Sequence, residues 1–186
     1  MVVTAEEPSL DELVRQARSG SVDAWEAIYL AARPRLFRFA RLRLVSDDQA
    51  EDAVSETVAR AIAGLERFPR DAAPMGWLVG ICRNVVFEVH RSGGRQRSLA
   101  ERVGQAGPGP PAATLDEGLL ATEESERLRR CFERLDDDAR ELLELRVVVG
   151  LDADSVAAVV GKRSGAVRMA QSRALARLRG CMEEDR

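Results

Sequence analysis

Between Asp154 and Glu183 the chain has no acidic residue, yet it holds Lys162, Arg163, Arg168, Arg173, Arg177 and Arg179. These lie within LDADSVAAVVGKRSGAVRMAQSRALARLR, where apolar residues recur at helical spacing on both sides of Gly161. Val156, Val159 and Val160 precede the glycine, and Val167, Leu175 and Leu178 follow it, as candidate core. The pattern predicts helix, short turn, helix. A chain of 186 residues with net charge −3 thus concentrates positive charge on one helical hairpin. That is the arrangement of a helix-turn-helix whose second helix enters the DNA major groove.

The rest of the composition restricts the fold class. Hydrophobic residues make up 45% of the chain and aromatics 4%, so its cores are built mainly from Leu, Val, Ile and Ala. Period-two runs of β-branched residues are scarce, and Ala, Leu, Arg and Glu dominate, which predicts an all-α protein. No apolar run reaches membrane-spanning length, and the N-terminus MVVTAEEPSLDELV is acidic with no apolar signal core. We therefore expect a cytoplasmic protein without membrane insertion. Cys82, Cys131 and Cys181 fit no metal-binding spacing and are read as reduced, small apolar residues. With a single histidine, His90, no metal site and no cofactor is expected.

Three parts follow from the patterning: a helical domain over 1–92, a flexible Gly/Pro-rich linker over 93–116, and a second helical domain over 117–186. Neither domain is basic overall, so DNA affinity must come from charge placement. In the first domain we expect helices over 8–18, capped by Ser9, and over 22–32. Pro34 is then read as breaking the chain before a helix that runs to Val45. A fourth helix, capped at Ser46, reaches about Arg67. A fifth runs from Met75 to about Arg91 and ends at Gly93-Gly94.

Several faces of these helices carry chemistry. Arg33, Arg35, Arg38, Arg41 and Arg43 fall in eleven residues without an acid. They form either a solvated face over a core helix or a contact for phosphates or a partner. Asp48, Glu51, Asp52 and Glu56 share one face of the next helix, as a solvated stripe or as a dock for a basic surface. In the fifth helix Trp77, Leu78, Ile81, Val85 and Val89 make an apolar stripe. Arg83, Asn84, Glu88, His90 and Arg91 surround it, and an asparagine amide can pair with adenine or line a pocket for an unstacked base.

DQAEDAVSETVARAI, then Phe68, then WLVGICRNVVFEVHR resembles the second conserved region of the extracytoplasmic-function (ECF) sigma factors of bacterial RNA polymerase. RLDDDARELLELRVVVGLDADSVAAVVGKRSGAVRMAQSRALARLR resembles their fourth region. Order, spacing and the proline-rich linker fit that family over about residues 10–180. The resemblance implies two small helical domains, a region 2 bundle and a region 4 helix-turn-helix. It further implies a non-enzymatic, dissociable subunit that brings core polymerase to promoters and promotes DNA opening at the −10 element. Its implied partners are the β′ coiled coil and β flap of core polymerase, promoter DNA and an anti-sigma factor. Asp48, Glu51, Asp52 and Glu56 correspond to the surface that binds core polymerase. Phe68, Arg70, Trp77, Arg83, Asn84 and Arg91 correspond to the −10 reader, whose loop over 68–76 holds a flipped base in the family.

For the −35 element the hairpin offers Lys162, Arg163, Ser164, Gly165, Arg168, Gln171, Ser172 and Arg173. Ser55 stands where the family commonly has glutamine, Glu88 where it has aspartate, and Asp136-Asp137 where a proline-containing turn is common. Ala166 stands where threonine often follows the glycine, so a hydroxyl is missing from the start of the recognition helix. The competing reading is a helix-turn-helix repressor or activator that binds operator DNA without polymerase. No nucleophile elbow, phosphate loop or carboxylate–histidine set supports an enzyme.

Overall fold

The computed structural model describes residues 8–70, 72–102 and 123–184, with side chains throughout these except in 93–102. Among the described residues all regular structure is helical. The first lobe holds α1 (Leu10–Arg18), α2 (Val22–Arg41), α3 (Asp47–Gly64) with a 3-10 turn (Leu65–Arg67), and α4 (Pro74–Arg102). The second holds α5 (Glu123–Glu133), α6 (Asp137–Leu143) with a π-helical turn (Glu144–Val148), α7 (Ala153–Val160) and α8 (Ser164–Glu184).

The helices start where short polar side chains can satisfy the first free N–H groups. Ser9 accepts from the Glu12 N–H at 3.3 Å, Ser21 from Ala24 at 3.2 Å and Ser46 from Gln49 at 3.2 Å. Asp136 and Asp152 do the same for Ala139 at 2.9 Å and Ser155 at 2.7 Å. Each helix then buries one apolar stripe. Ile28, Leu36 and Phe39 of α2, Val54 of α3, and Leu78, Val79 and Val86 of α4 are fully enclosed in the first lobe. Leu145, Val149, Val156 and Val167 fill the second. The buried residues of both lobes join in one continuous apolar cluster, with α7 packed on α4 and the π turn on α2.

Three expectations are corrected. Pro34 does not break the chain: α2 is one helix through it. Pro34 and Leu30, four residues before it, both lie on the exposed face, where solvent reaches the missing hydrogen bond. The opposite face buries Ile28, Ala32, Leu36 and Phe39 and holds both halves in register. Gly93-Gly94 do not end α4, which continues to Arg102. Glycine costs a helix only about 1 kcal/mol and does not forbid it. Of the segment read as a linker, 93–102 is therefore helical, and 103–116 lies outside the described residues.

Thirdly, Cys131 and Cys181 are not reduced but joined in a disulfide, with Cα atoms 5.7 Å apart at a sequence separation of 50. The bond fastens the end of α5 to the end of α8. Cys82 alone is a free thiol, and burial pushes its pKa up to about 11, so it stays neutral in the core. Closing a loop of this length restricts the unfolded chain. Cys181→Ser should lower stability by roughly 2–4 kcal/mol, read as a lower urea midpoint; reductant should lower the parent's midpoint to the same extent and leave that of the variant unchanged.

Candidate polymerase and nucleic-acid interfaces

The acidic stripe of α3 is only partly free. Asp48, Asp52 and Glu56, spaced by four residues, are exposed on one face. Among the described residues Asp48 and Asp52 have no ion-pair partner, whereas Glu56 pairs with Arg60 at 2.7 Å. Glu51 is turned toward α2, where it accepts from both Arg33 Nε and a terminal Arg33 nitrogen. Arg41 likewise pairs with Asp47. The arginine face of α2 and the start of α3 therefore neutralise each other in part. Arg35 and Arg38 remain exposed, with Arg38 Nε donating to the Pro34 carbonyl at 3.1 Å.

The loop into α4 is anchored from below. Phe68 was expected at the DNA surface, but it is buried, stacked on Trp77 with ring centroids 4.5 Å apart. Arg18 of α1 donates to the Phe68 carbonyl and lies over its ring. An aromatic that bridges three elements is worth more inside than outside, so Phe68 supports the loop and does not face DNA. Arg70, Asn84 and Arg91 are exposed, and Trp77 is half-buried. Arg83 is not free: its Nε and a terminal nitrogen donate to the two carboxylate oxygens of Glu141, at 2.6 and 3.1 Å. Arg60 makes a similar bidentate pair with Glu88, at 2.8 and 2.7 Å.

In the hairpin, α7 ends at Gly161, whose φ of +66° makes the left-handed turn that a side chain would resist. The turn brings Arg163, Gly165, Arg168, Ser172 and Arg173 onto the exposed side of α8, with Ser164 half-exposed at its start. Lys162 is also exposed but is paired with Asp138 at 2.6 Å. Gln171 faces inward and accepts from Arg146 Nε at 2.8 Å, while another Arg146 nitrogen donates to the Leu151 carbonyl. Half-buried, Gln171 thus ties the recognition helix to its support.

Three residues of consequence escaped the sequence reading. Met169 is 65% exposed beside Arg168 and Arg173, and nothing in an apolar periodicity marks a methionine as outward. Glu141 and Glu144 meet Arg83 and Arg43 across the two lobes. Such long-range pairs leave no local sequence signal. Among the described residues no cluster could hold a metal ion, and no helix is long and apolar enough to cross a membrane.

Two helical lobes, the second carrying a helix-turn-helix with its basic face outward, make a surface suited to DNA. Residues 28–96 match Sigma-70 region 2 and residues 125–178 match Sigma-70 region 4. The ECF RNA polymerase sigma factor SigD of Mycobacterium tuberculosis is 34% identical over 95% of this chain and 85% of its own length. BldN of Streptomyces coelicolor, another ECF RNA polymerase sigma factor, is 29% identical over 94% of this chain and 66% of its own. The sigma factor RpoE of Bartonella quintana, solved with the anti-sigma factor NepR, superposes with a TM-score of 0.67 at 25% identity, covering 89% of this chain and all of that one. CnrH, solved with the cytosolic domain of CnrY, shares the fold at TM-score 0.67 and 24% identity over 95% of this chain and 98% of its own. The chain belongs to the ECF sigma factors of RNA polymerase.

The hairpin also offers a titration. The Ser155 N–H bonded to Asp152 holds that carboxyl below the usual aspartate range. A depressed pKa stabilises the fold above the ordinary aspartate value and ceases to do so as pH falls through the folded one. Asp152→Ala should lower stability by about 1 kcal/mol at neutral pH. The difference from the parent should vanish on acidification, as followed by urea unfolding at stepped pH.

Proposed function

We propose that this chain directs core RNA polymerase to promoters through three separate surfaces. Asp48, Asp52 and Glu56 on α3 bind the coiled coil of the β′ subunit, and Glu51 shapes that face through Arg33. The loop after Phe68 and the outward side of α4, with Arg70, Trp77, Arg83, Asn84 and Arg91, take the −10 element. The N-terminal half of α8, with Arg163, Ser164, Gly165, Arg168, Ser172 and Arg173, reads the −35 element, and Lys162 touches phosphate. Ala166 and Met169 give that face an apolar strip suited to a thymine methyl. The second lobe also grips the β flap. The observation that carries this reading is the acid-free face of α8, displayed on the same chain as an acidic face on α3 whose Asp48 and Asp52 are exposed and unpaired.

No catalytic group takes part. DNA opens because the open form binds better, with stacked or pocketed bases contributing about 1–3 kcal/mol each. The protein acts in the cytoplasm, where its polymerase and promoters are. An anti-sigma protein, the partner of the RpoE relative, restrains it by covering these surfaces.

Multi-round transcription with purified core polymerase and genomic promoter fragments tests the reading. Discrete transcripts that need both components support it. No transcripts, together with tight operator binding in the absence of core, would establish a free-standing repressor. Asp52→Arg should abolish binding to core while leaving the helical circular dichroism spectrum unchanged. Arg168→Ala should weaken −35 recognition by about 1–3 kcal/mol, measured as the loss of transcription from −35-dependent promoters.

A further inference from the structure

The loop that leads into α4 is gripped at its first residue. Phe68 leaves the 3-10 turn in an extended conformation, at φ −66° and ψ 121°, as the proline after it favours. Pro69 then fixes its own φ. The direction in which the chain departs toward Arg70 is therefore set mainly by ψ of Phe68, and the Phe68 carbonyl turns with that angle. Arg18, in the last turn of α1, donates to this carbonyl and lies over the Phe68 ring, 5.6 Å from its centroid. Trp77 packs on the same ring from α4, at 4.5 Å. One guanidinium thus holds both the backbone and the side chain of the residue from which the loop departs.

Beyond this grip the loop stands off from α1. A cavity of about 430 Å³ lies between them, lined by Arg15, Arg18 and Ser19 on one side and Phe68, Arg70 and Pro74 on the other. The backbone bonds of the loop are short-range, from the Phe68 N–H to the Leu65 carbonyl and from Ala72 to Pro69, both at 3.2 Å. The helix α1 has its own anchors, because Leu13, Val14 and Ala17 are buried. The Arg18 Nε is enclosed without a hydrogen-bond partner among the described residues. An enclosed, unmet donor is unfavourable, so truncating Arg18 relieves one cost while it releases Phe68. The side chain is thus better suited to holding the loop than to stabilising α1.

We propose that Arg18 is the positioning residue of the −10 loop: by holding the Phe68 carbonyl and ring it sets where Arg70 and Trp77 meet the promoter, and so which bases of the −10 element are accepted. The inference rests on the −10 role proposed for this loop. Arg18 touches no DNA and acts through Phe68. Discrimination between bases needs contacts held to a fraction of an ångström by the groups behind them. A loop free to turn about ψ of Phe68 presents Arg70 in several places, and the preference is averaged over them. The core-binding face on α3 and the recognition face of α8 do not pass through this loop, so Arg18 affects base selection at the −10 element alone.

The test uses holoenzyme assembled from core polymerase and the full chain, as parent, Arg18→Ala and Arg18→Lys. Transcription is measured from promoters in which each −10 position carries each of the four bases in turn, and again with the −35 element scrambled. Arg18→Ala should lose about tenfold of the preference for the best base, the size expected of a hydrogen bond from a charged group. Its binding to core, its dependence on the −35 element and its urea midpoint should match the parent. Arg18→Lys, which can still donate to a carbonyl, should recover part of the preference. In the chain without core, hydrogen–deuterium exchange in a peptide spanning 65–77 should be faster in Arg18→Ala than in the parent. A base preference in Arg18→Ala equal to that of the parent overturns the proposal. So does a uniform fall on every promoter, an Arg18→Lys variant no better than Arg18→Ala, or equal exchange in parent and Arg18→Ala. If the parent itself gives no transcripts with core, the sigma-factor assignment falls and base selection with it, while the exchange result still decides whether Arg18 holds the loop.

Discussion

The burial of α4 governs the arrangement of everything else. Leu78, Val79, Cys82, Val85 and Val86 of this helix are enclosed, and α4 packs against α1, α2 and α3. A helix that buries one stripe must turn the residues between toward its other sides. Arg83 and Asn84 follow from that rotation, as does the placement of Gly76 against Ser155. Phe68 and Trp77, stacked at the start of the helix, fix the loop that precedes it. The surface proposed for the −10 element is thus the outer side of a core helix, and its precision is that of the core.

Charge is distributed by the same geometry. Arginines of α2 and of the turn after it reach two different sets of acids: Arg33 and Arg41 neutralise the start of α3, while Arg43, just beyond α2, crosses to Glu144 in the second lobe. Pairing of Glu51 leaves Asp48 and Asp52 as the unpaired carboxylates of the α3 face. On α8 the absence of acid over a long stretch has the opposite effect, since the support helices bind Lys162 and Gln171 but leave Arg163, Arg168 and Arg173 outward. A chain of nearly balanced charge can therefore carry an acidic face, a basic face and a neutralised seam in separate places.

Local signals in this chain were readable because they depend on neighbours in sequence. Ser9 and Ser46 cap helices, as their position before amphipathic runs implies, and Gly161 makes the turn of the hairpin. The stripe at Val156 and Val167 fixes which side of the hairpin is inside. Pro34 and Gly93-Gly94 misled, because a breaker acts only through a small local cost, which burial of a long stripe on α2 or continuation of α4 outweighs. Phe68 misled for another reason, and Gln171 is bonded to Arg146 as well as half-exposed. Aromatic and amide groups serve equally well in a nucleic-acid site or as internal supports, and only their neighbours distinguish the two.

The linear order of residues was thus sufficient for the all-helical class, the two-lobed organisation and the basic hairpin, since each rests on periodicity, capping and charge within a few turns of chain. Tertiary structure alone decided that Cys131 meets Cys181, that Arg83 is held by Glu141, and that Gly76 lies under Ser155. These contacts join residues 50 or more positions apart, with no repeat, spacing or motif to link them. They exist because two separately legible apolar faces pack together, and packing brings to one place side chains that sequence proximity does not.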